Sequence, residues 1–161
     1  MIPRYAPEDL AALFSDEARF GAMLEVELLA TEAMEFTGIA PPGTAAVLRA
    51  AAPRIDADFV RAVDEREAVT RHDTAAFVDV VQREMGIPEA SWVHYGLTSS
   101  DVVDTALALQ LTRVLDVLVA DEHRLVAVHH EVRVDGELAA PVLARGGGYR
   151  APHTRGDLAD A

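Results

Sequence analysis

The feature that most constrains this chain is a seam of leucines and valines in its second half. Leu107, Leu111, Val114, Leu118, Leu125 and Val128 fall mostly on alternating spacings of four and three, with Asp121 in the one polar slot. Such a heptad-like pattern requires a helix packed along its length by other helices. Run from Ser100 to Val132, that helix would be about 50 Å long, too long to bury itself in a small globule. Its partners must come from a bundle in a larger protein or from other subunits.

Upstream, apolar residues also recur at helical rather than alternating spacing. Ser15-Asp16-Glu17 opens a first long helix with a capping hydroxyl and acids suited to the positive end of the dipole. Phe20, Leu24 and Leu28 repeat at i+4, widened by Met23, Val26 and Ala30, and Gly38 stops the run. Pro41-Pro42-Gly43 forms a turn, and Thr44 is placed to cap a short alanine-rich helix ending near Pro53. Asp56 caps the next helix, which reaches Val63 or beyond. Thr70 or Asp73 starts another, with Phe77, Val80, Val81 and Met85 facing inward and Gly86 and Pro88 ending it. Residues 91–96 read as an ordered connector. The expected fold is all-α.

Composition removes several chemistries. The chain of 161 residues has no cysteine, which excludes disulfides, thiolate nucleophiles and cysteine-held metals. Its 14 basic residues are all arginine, so no P-loop lysine and no Schiff-base lysine exists. A net charge of −13 argues against a general nucleic-acid binder but leaves room for a small anion held by a few focused arginines. No membrane-length apolar run and no signal-peptide core are visible, so the expected location is cytoplasmic. Metal sites are poorly supported: His129 and His130 are adjacent and point different ways, and no acid–histidine spacing joins them to His123.

Three polar clusters interrupt the helical pattern. Arg4-Tyr5 is either a solvated terminus or an anion clamp with a hydroxyl donor. Thr70-Arg71-His72-Asp73 is either an ordinary helix start, with Thr or Asp as cap, or an anion site combining a helix N-terminus, an Arg charge and a His donor. His94-Tyr95-Gly96-Leu97-Thr98-Ser99-Ser100-Asp101 leads into the seam helix. Ser100 or Asp101 would cap it, leaving Thr98 and Ser99 free to cradle a phosphate or carboxylate. His94 alone reads as a satisfied, partly buried histidine.

Taken together, Met1-Ile2-Pro3-Arg4-Tyr5, the segment Phe14-Ser15-Asp16-Glu17-Ala18-Arg19-Phe20, the segment Glu67-Ala68-Val69-Thr70-Arg71-His72-Asp73 and the run from Val93 to Ala106 resemble the N-terminal part of the bacterial adenylosuccinate lyase family, in the fumarase/aspartase superfamily. The resemblance covers roughly residues 1–132. It implies an N-terminal helical domain (1–99), the first long helix of a central bundle (100–132) and assembly as a homotetramer. The implied activity is β-elimination of fumarate from adenylosuccinate, and from the succinylated aminoimidazole carboxamide ribotide of purine biosynthesis, with no cofactor and no metal. Arg4 and Tyr5 resemble nucleotide-phosphate contacts. Arg71, His72 and Asp73 resemble a substrate-binding trio, and Thr98 and Ser99 the pair on the succinyl carboxylate side. The alternatives are another lyase of the superfamily or a non-catalytic helical oligomerisation module.

Past residue 132 the resemblance stops. Residues 133–161 are charge-neutral and hold Gly146-Gly147-Gly148 without apolar period, and they read as a flexible tail. The family's Thr-His-Gly motif is not matched by His153-Thr154, so no general acid is carried over, and the region of the family's base is absent. A truncated or frameshifted reading frame is the expectation, and the isolated chain is expected to have little turnover.

Overall fold

The computed structural model describes the backbone of residues 7–134 and the side chains of residues 7–126. Six helices follow one another among the described residues: α1 (Glu8–Leu13), α2 (Asp16–Phe36), α3 (Thr44–Ala51), α4 (Ala57–Thr70), α5 (Asp73–Met85) and α6 (Ser99–Val134), with a 3-10 turn at Pro88–Trp92. No strand occurs among the described residues. The chain divides into two units, Met1–Ala120 and Asp121–Ala161, and the packing described here belongs to the first.

The helix starts carry the signals that local chemistry demands, with instructive exceptions. Ser15 caps α2 by accepting from the Ala18 N–H at 3.1 Å. Asp56 caps α4 through the N–H groups of Asp58 and Phe59 at 3.1 and 3.2 Å. Thr44 does not cap α3 as expected; it is the first helical residue, after Gly43 at φ 90°. The cap comes instead from Glu35 at the end of α2, whose carboxylate accepts from Gly43 and Ala45 N–H at 2.7 and 2.8 Å. These two bonds hold the Glu35 carboxyl below its ordinary pKa. The short α1, which the sequence pattern does not announce, is fastened by Gln110 of α6, whose amide donates to the Leu13 carbonyl at 2.8 Å.

The core sits where α2, α4 and α5 meet. Phe20 stacks on Phe77 at 5.5 Å between ring centroids, and Phe59 meets both edge-on at 6.0 and 6.2 Å, each geometry favoured by the ring quadrupoles. Met23, Leu48, Val63, Val80 and Val81 close around them. The inward face expected for α5, Phe77, Val80, Val81 and Met85, is the buried one. Arg66 of α4 pairs with Asp79 of α5 at 2.6 Å across the edge of that contact.

Helix α6 joins this core only at its beginning, through Val102 and Ala106, with Gln110 also buried. The heptad seam behaves differently. Leu107, Leu111 and Leu118 are each nearly half exposed, and Leu115 is 60% exposed. Val114 is half-buried. Leu125 of the second unit is exposed as well, and the side chain of Val128 lies outside the described residues. The helix runs to Val134, two residues into the stretch read as tail; residues 135–161 lie outside the described residues. No described helix is long and apolar enough to cross a membrane.

Two predictions follow from the packing. Phe77→Ala leaves a cavity among the three rings and should cost about 3–5 kcal/mol, read as a lower urea midpoint. The lowered Glu35 pKa means that its stabilisation is complete above the ordinary glutamate value of ~4.3 and fades as pH falls through the folded value. Stability measured in acid should therefore fall more steeply for the natural chain than for Glu35→Gln.

Candidate functional site

The connector between α5 and α6 carries Thr98 and leads into Ser99, the first residue of α6, and its course is held from beneath by side chains of α2 and α5. The Thr31 hydroxyl of α2 donates to the Glu27 carbonyl at 3.0 Å and lies 3.5 Å from the Trp92 carbonyl, while Gln82 of α5 donates to the Val93 carbonyl at 3.2 Å. Glu27, in the middle of α2 and only 1% exposed, holds the next residue. One of its carboxylate oxygens accepts the His94 backbone N–H at 2.7 Å, and the other lies 2.6 Å from His94 Nδ1. His94 is thus a satisfied, partly buried histidine, as its isolation in the sequence implied. Trp92 and Tyr95 lie against each other, 4.7 Å between ring centroids.

From there the chain turns into α6 one residue earlier than expected. Ser99 is its first residue, so neither Ser100 nor Asp101 is the cap. Asp101 instead reaches back three residues and accepts the Thr98 N–H at 2.8 Å, the half of a capping box that an acid at the third helical position supplies. This leaves the Ser99 side chain free to point elsewhere.

It points to His72. Ser99 Oγ lies 3.4 Å from His72 Nε2, although 27 residues separate them. His72 is itself the cap of α5, in place of the Thr70 or Asp73 expected: its Nδ1 lies 3.3 Å from the Ala75 N–H and accepts from it. With Nδ1 accepting, a neutral ring has its proton on Nε2, the nitrogen that faces Ser99. The Asp73 carboxylate is 3.5 Å from the same Nδ1. Nδ1 cannot both accept from Ala75 and donate to Asp73, and of the two contacts the one to Ala75 is the shorter.

Arg71 precedes this pair in a left-handed conformation, φ 55°, ending α4. Arg71 and His94 are the two non-glycine residues with positive φ among the described residues, and they flank the two segments that meet. Unfavourable backbone of this kind persists where the surroundings impose it and gathers at functional sites. Arg71, His72, Asp73 and Thr98 are exposed and Ser99 is half-buried. The starts of α5 and α6 thus meet as an open shelf at His72 and Ser99, with Asp73 and Thr98 as chain neighbours. The imidazole and hydroxyls there are groups that can contact a carboxylate or phosphate. Arg71 borders a hollow shared with Asp64, Glu67 and Ala68. Arg4 and Tyr5 lie outside the described residues. Among the described residues no three His, Asp or Glu side chains gather as a metal site. Glu27 was not legible as part of this region, since a lone acid on α2 reads as a solvated position.

No model of a known protein family matches the chain. Known proteins do. The chain is 43% identical over 132 residues to adenylosuccinate lyase of Bacillus subtilis (strain 168) and 41% identical over 128 residues to that of Staphylococcus saprophyticus. These alignments take in 81% and 80% of the chain but 29% and 28% of the relatives. Among solved structures, a fumarate lyase from Mesorhizobium sp. BNC1 superposes with a TM-score of 0.61 over 70% of the chain and 26% of its own, at 23% identity. The fold is therefore that of a helical fumarate lyase. Over the aligned stretch the sequence is similar to adenylosuccinate lyases, and the chain spans under a third of the length of those relatives.

Two substitutions probe the shelf itself. His72→Ala should cost about 1 kcal/mol, the usual worth of a side-chain cap, and His72→Asp should recover most of it in urea unfolding. Arg71→Gly relieves a left-handed residue and should raise stability by up to about 1 kcal/mol, opposite to the effect of most substitutions.

Proposed function

We propose that Arg71, His72, Asp73, Thr98 and Ser99 form one wall of a site for a succinylated purine nucleotide. The activity belongs to the longer lyase of which this chain carries the matching part: β-elimination of fumarate from adenylosuccinate to give AMP, and from the succinylated aminoimidazole carboxamide ribotide in cytoplasmic purine biosynthesis. The observation that supports this most is the meeting of His72 and Ser99 at two helix starts, in a chain 43% identical to an adenylosuccinate lyase.

The elimination breaks a carbon–nitrogen bond after a proton leaves the neighbouring carbon, so negative charge develops next to a carboxylate. Donors fixed in advance at that carboxylate lower the barrier, because they need no reorganisation as the charge grows. In this reading, the Ser99 and Thr98 hydroxyls and the start of α6 face the succinyl carboxylate. The His72 Nε2–H serves near the reacting part. Arg71 supplies the full charge, and Arg4 with Tyr5 takes the phosphate. This reading assigns all of these groups to binding and none to the acid or base of the elimination, so the chain alone is expected to bind without turnover. The exposed leucines of α6 fit assembly with further helices, a homotetramer in the whole lyase.

The same leucines favour a second reading, a helical oligomerisation module whose polar clusters are only caps. A lyase of the same fold acting on another succinyl adduct is a third. Calorimetry separates the three: the proposal expects AMP to bind and Arg71→Ala to weaken binding roughly ten-fold or more, the worth of one charge-assisted hydrogen bond. The module expects no AMP binding, and the other lyase expects a dicarboxylate to bind without AMP. Fumarate release from adenylosuccinate by the purified chain should be undetectable. Leu111→Glu should lower the sedimenting mass, whichever reading holds for the shelf.

A further inference from the structure

Two costly choices meet at one contact in this chain. A carboxylate is buried in the middle of α2, where an apolar side chain would pack without desolvation. A histidine occupies φ 67° at position 94, while the next left-handed position, Gly96, holds the residue that adopts such angles freely. Glycine at position 94 would satisfy the backbone, and a hydrophobic residue at 27 would satisfy the core. What neither would give is the double contact of Glu27 with the His94 N–H at 2.7 Å and with Nδ1 at 2.6 Å.

We infer that Glu27 is a positioning residue, whose buried carboxylate holds His94 with a proton on Nδ1 and its backbone left-handed, and so sets the 94–99 segment where Ser99 meets His72. The geometry leaves little freedom in this assignment. With Glu27 as a carboxylate both its oxygens accept, so the two His94 nitrogens that face them both donate. Gln82 holds the Val93 carbonyl, and Glu27 supplies the side-chain hydrogen bonds to His94, the residue from which the chain turns toward α6. Five residues later that turn delivers Ser99 Oγ to within 3.4 Å of His72. The inference deepens the anion-shelf reading and rests on it for the role of Ser99, but not for the tautomer.

Long-range proton–nitrogen NMR of the full chain at neutral pH, with His94 assigned by substitution, tests it. The expected result is a proton on His94 Nδ1; a ring protonated on Nε2 alone overturns the inference. Glu27→Gln keeps the shape but offers one acceptor and one donor. Its carbonyl oxygen would keep the backbone N–H, its NH2 would face Nδ1, and the proton should move to Nε2. The His72 and Ser99 resonances should shift with it, although neither residue touches Glu27, and AMP affinity should fall roughly ten-fold or more. An unchanged tautomer, or a changed one with His72, Ser99 and AMP binding all unaffected, contradicts the inference. If the natural chain binds no AMP, the nucleotide reading falls alone, and the resonances of His72 and Ser99 still decide this one. Should Glu27→Gln not fold, His94→Gly, which keeps the left-handed backbone and removes the ring, carries the same readout, with shifts at Ser99 and His72 expected and their absence contradicting.

Discussion

A carboxylate taken out of water must find donors or lose its charge, and the donors that Glu27 finds belong to a segment far along the chain. That requirement ties α2 to the connector before α6 more firmly than apolar contact would, because hydrogen bonds to a buried charge have direction. Gln82 adds one more bond to the same connector. A loop otherwise free to wander becomes a rigid lead-in, and the start of α6 is delivered against the start of α5. The meeting of Ser99 with His72 depends on that placement.

The division of labour among the helices follows. Helices α2, α4 and α5 bury the Phe20–Phe59–Phe77 cluster and supply the stability. Their ends and connectors carry the polar groups, which are held on a scaffold rather than on mobile loops. Helix α6 belongs to the core for about two turns and then presents Leu107, Leu111, Leu115 and Leu118 to solvent. An apolar row of that kind is stable only when covered, which agrees with a chain spanning under a third of its adenylosuccinate lyase relatives.

Much of this was legible in the sequence, for reasons that differ from residue to residue. Ser15, Asp56 and the Phe77–Met85 face were readable because caps and 3.6-residue periodicity are local. The seam of α6 was readable as a helix without a partner, and it is exposed accordingly. Reading failed wherever a distant side chain took over a local role. Glu35 caps α3 from the end of the preceding helix, displacing Thr44. His72 caps α5 where Thr70 and Asp73 are the ordinary choices, and this directs its other nitrogen to Ser99. Asp101 works backward to Thr98, which moves the start of α6 to Ser99. Glu27 left no local mark, since its partner is 67 residues away. The polar clusters at 70–73 and 94–101 were visible as composition, but that they meet is a property of the packing.

The most direct measurement of the central claim is the nuclear Overhauser contact between the His72 ring protons and the Ser99 β-protons in the uniformly labelled chain. The account requires a cross-peak between them, arising from two residues that are neighbours only if the connector runs as Glu27 directs. Assigned resonances with no such cross-peak, while the Phe20–Phe77 contacts remain visible, would show a folded core whose two helix starts do not converge, and the account would be wrong.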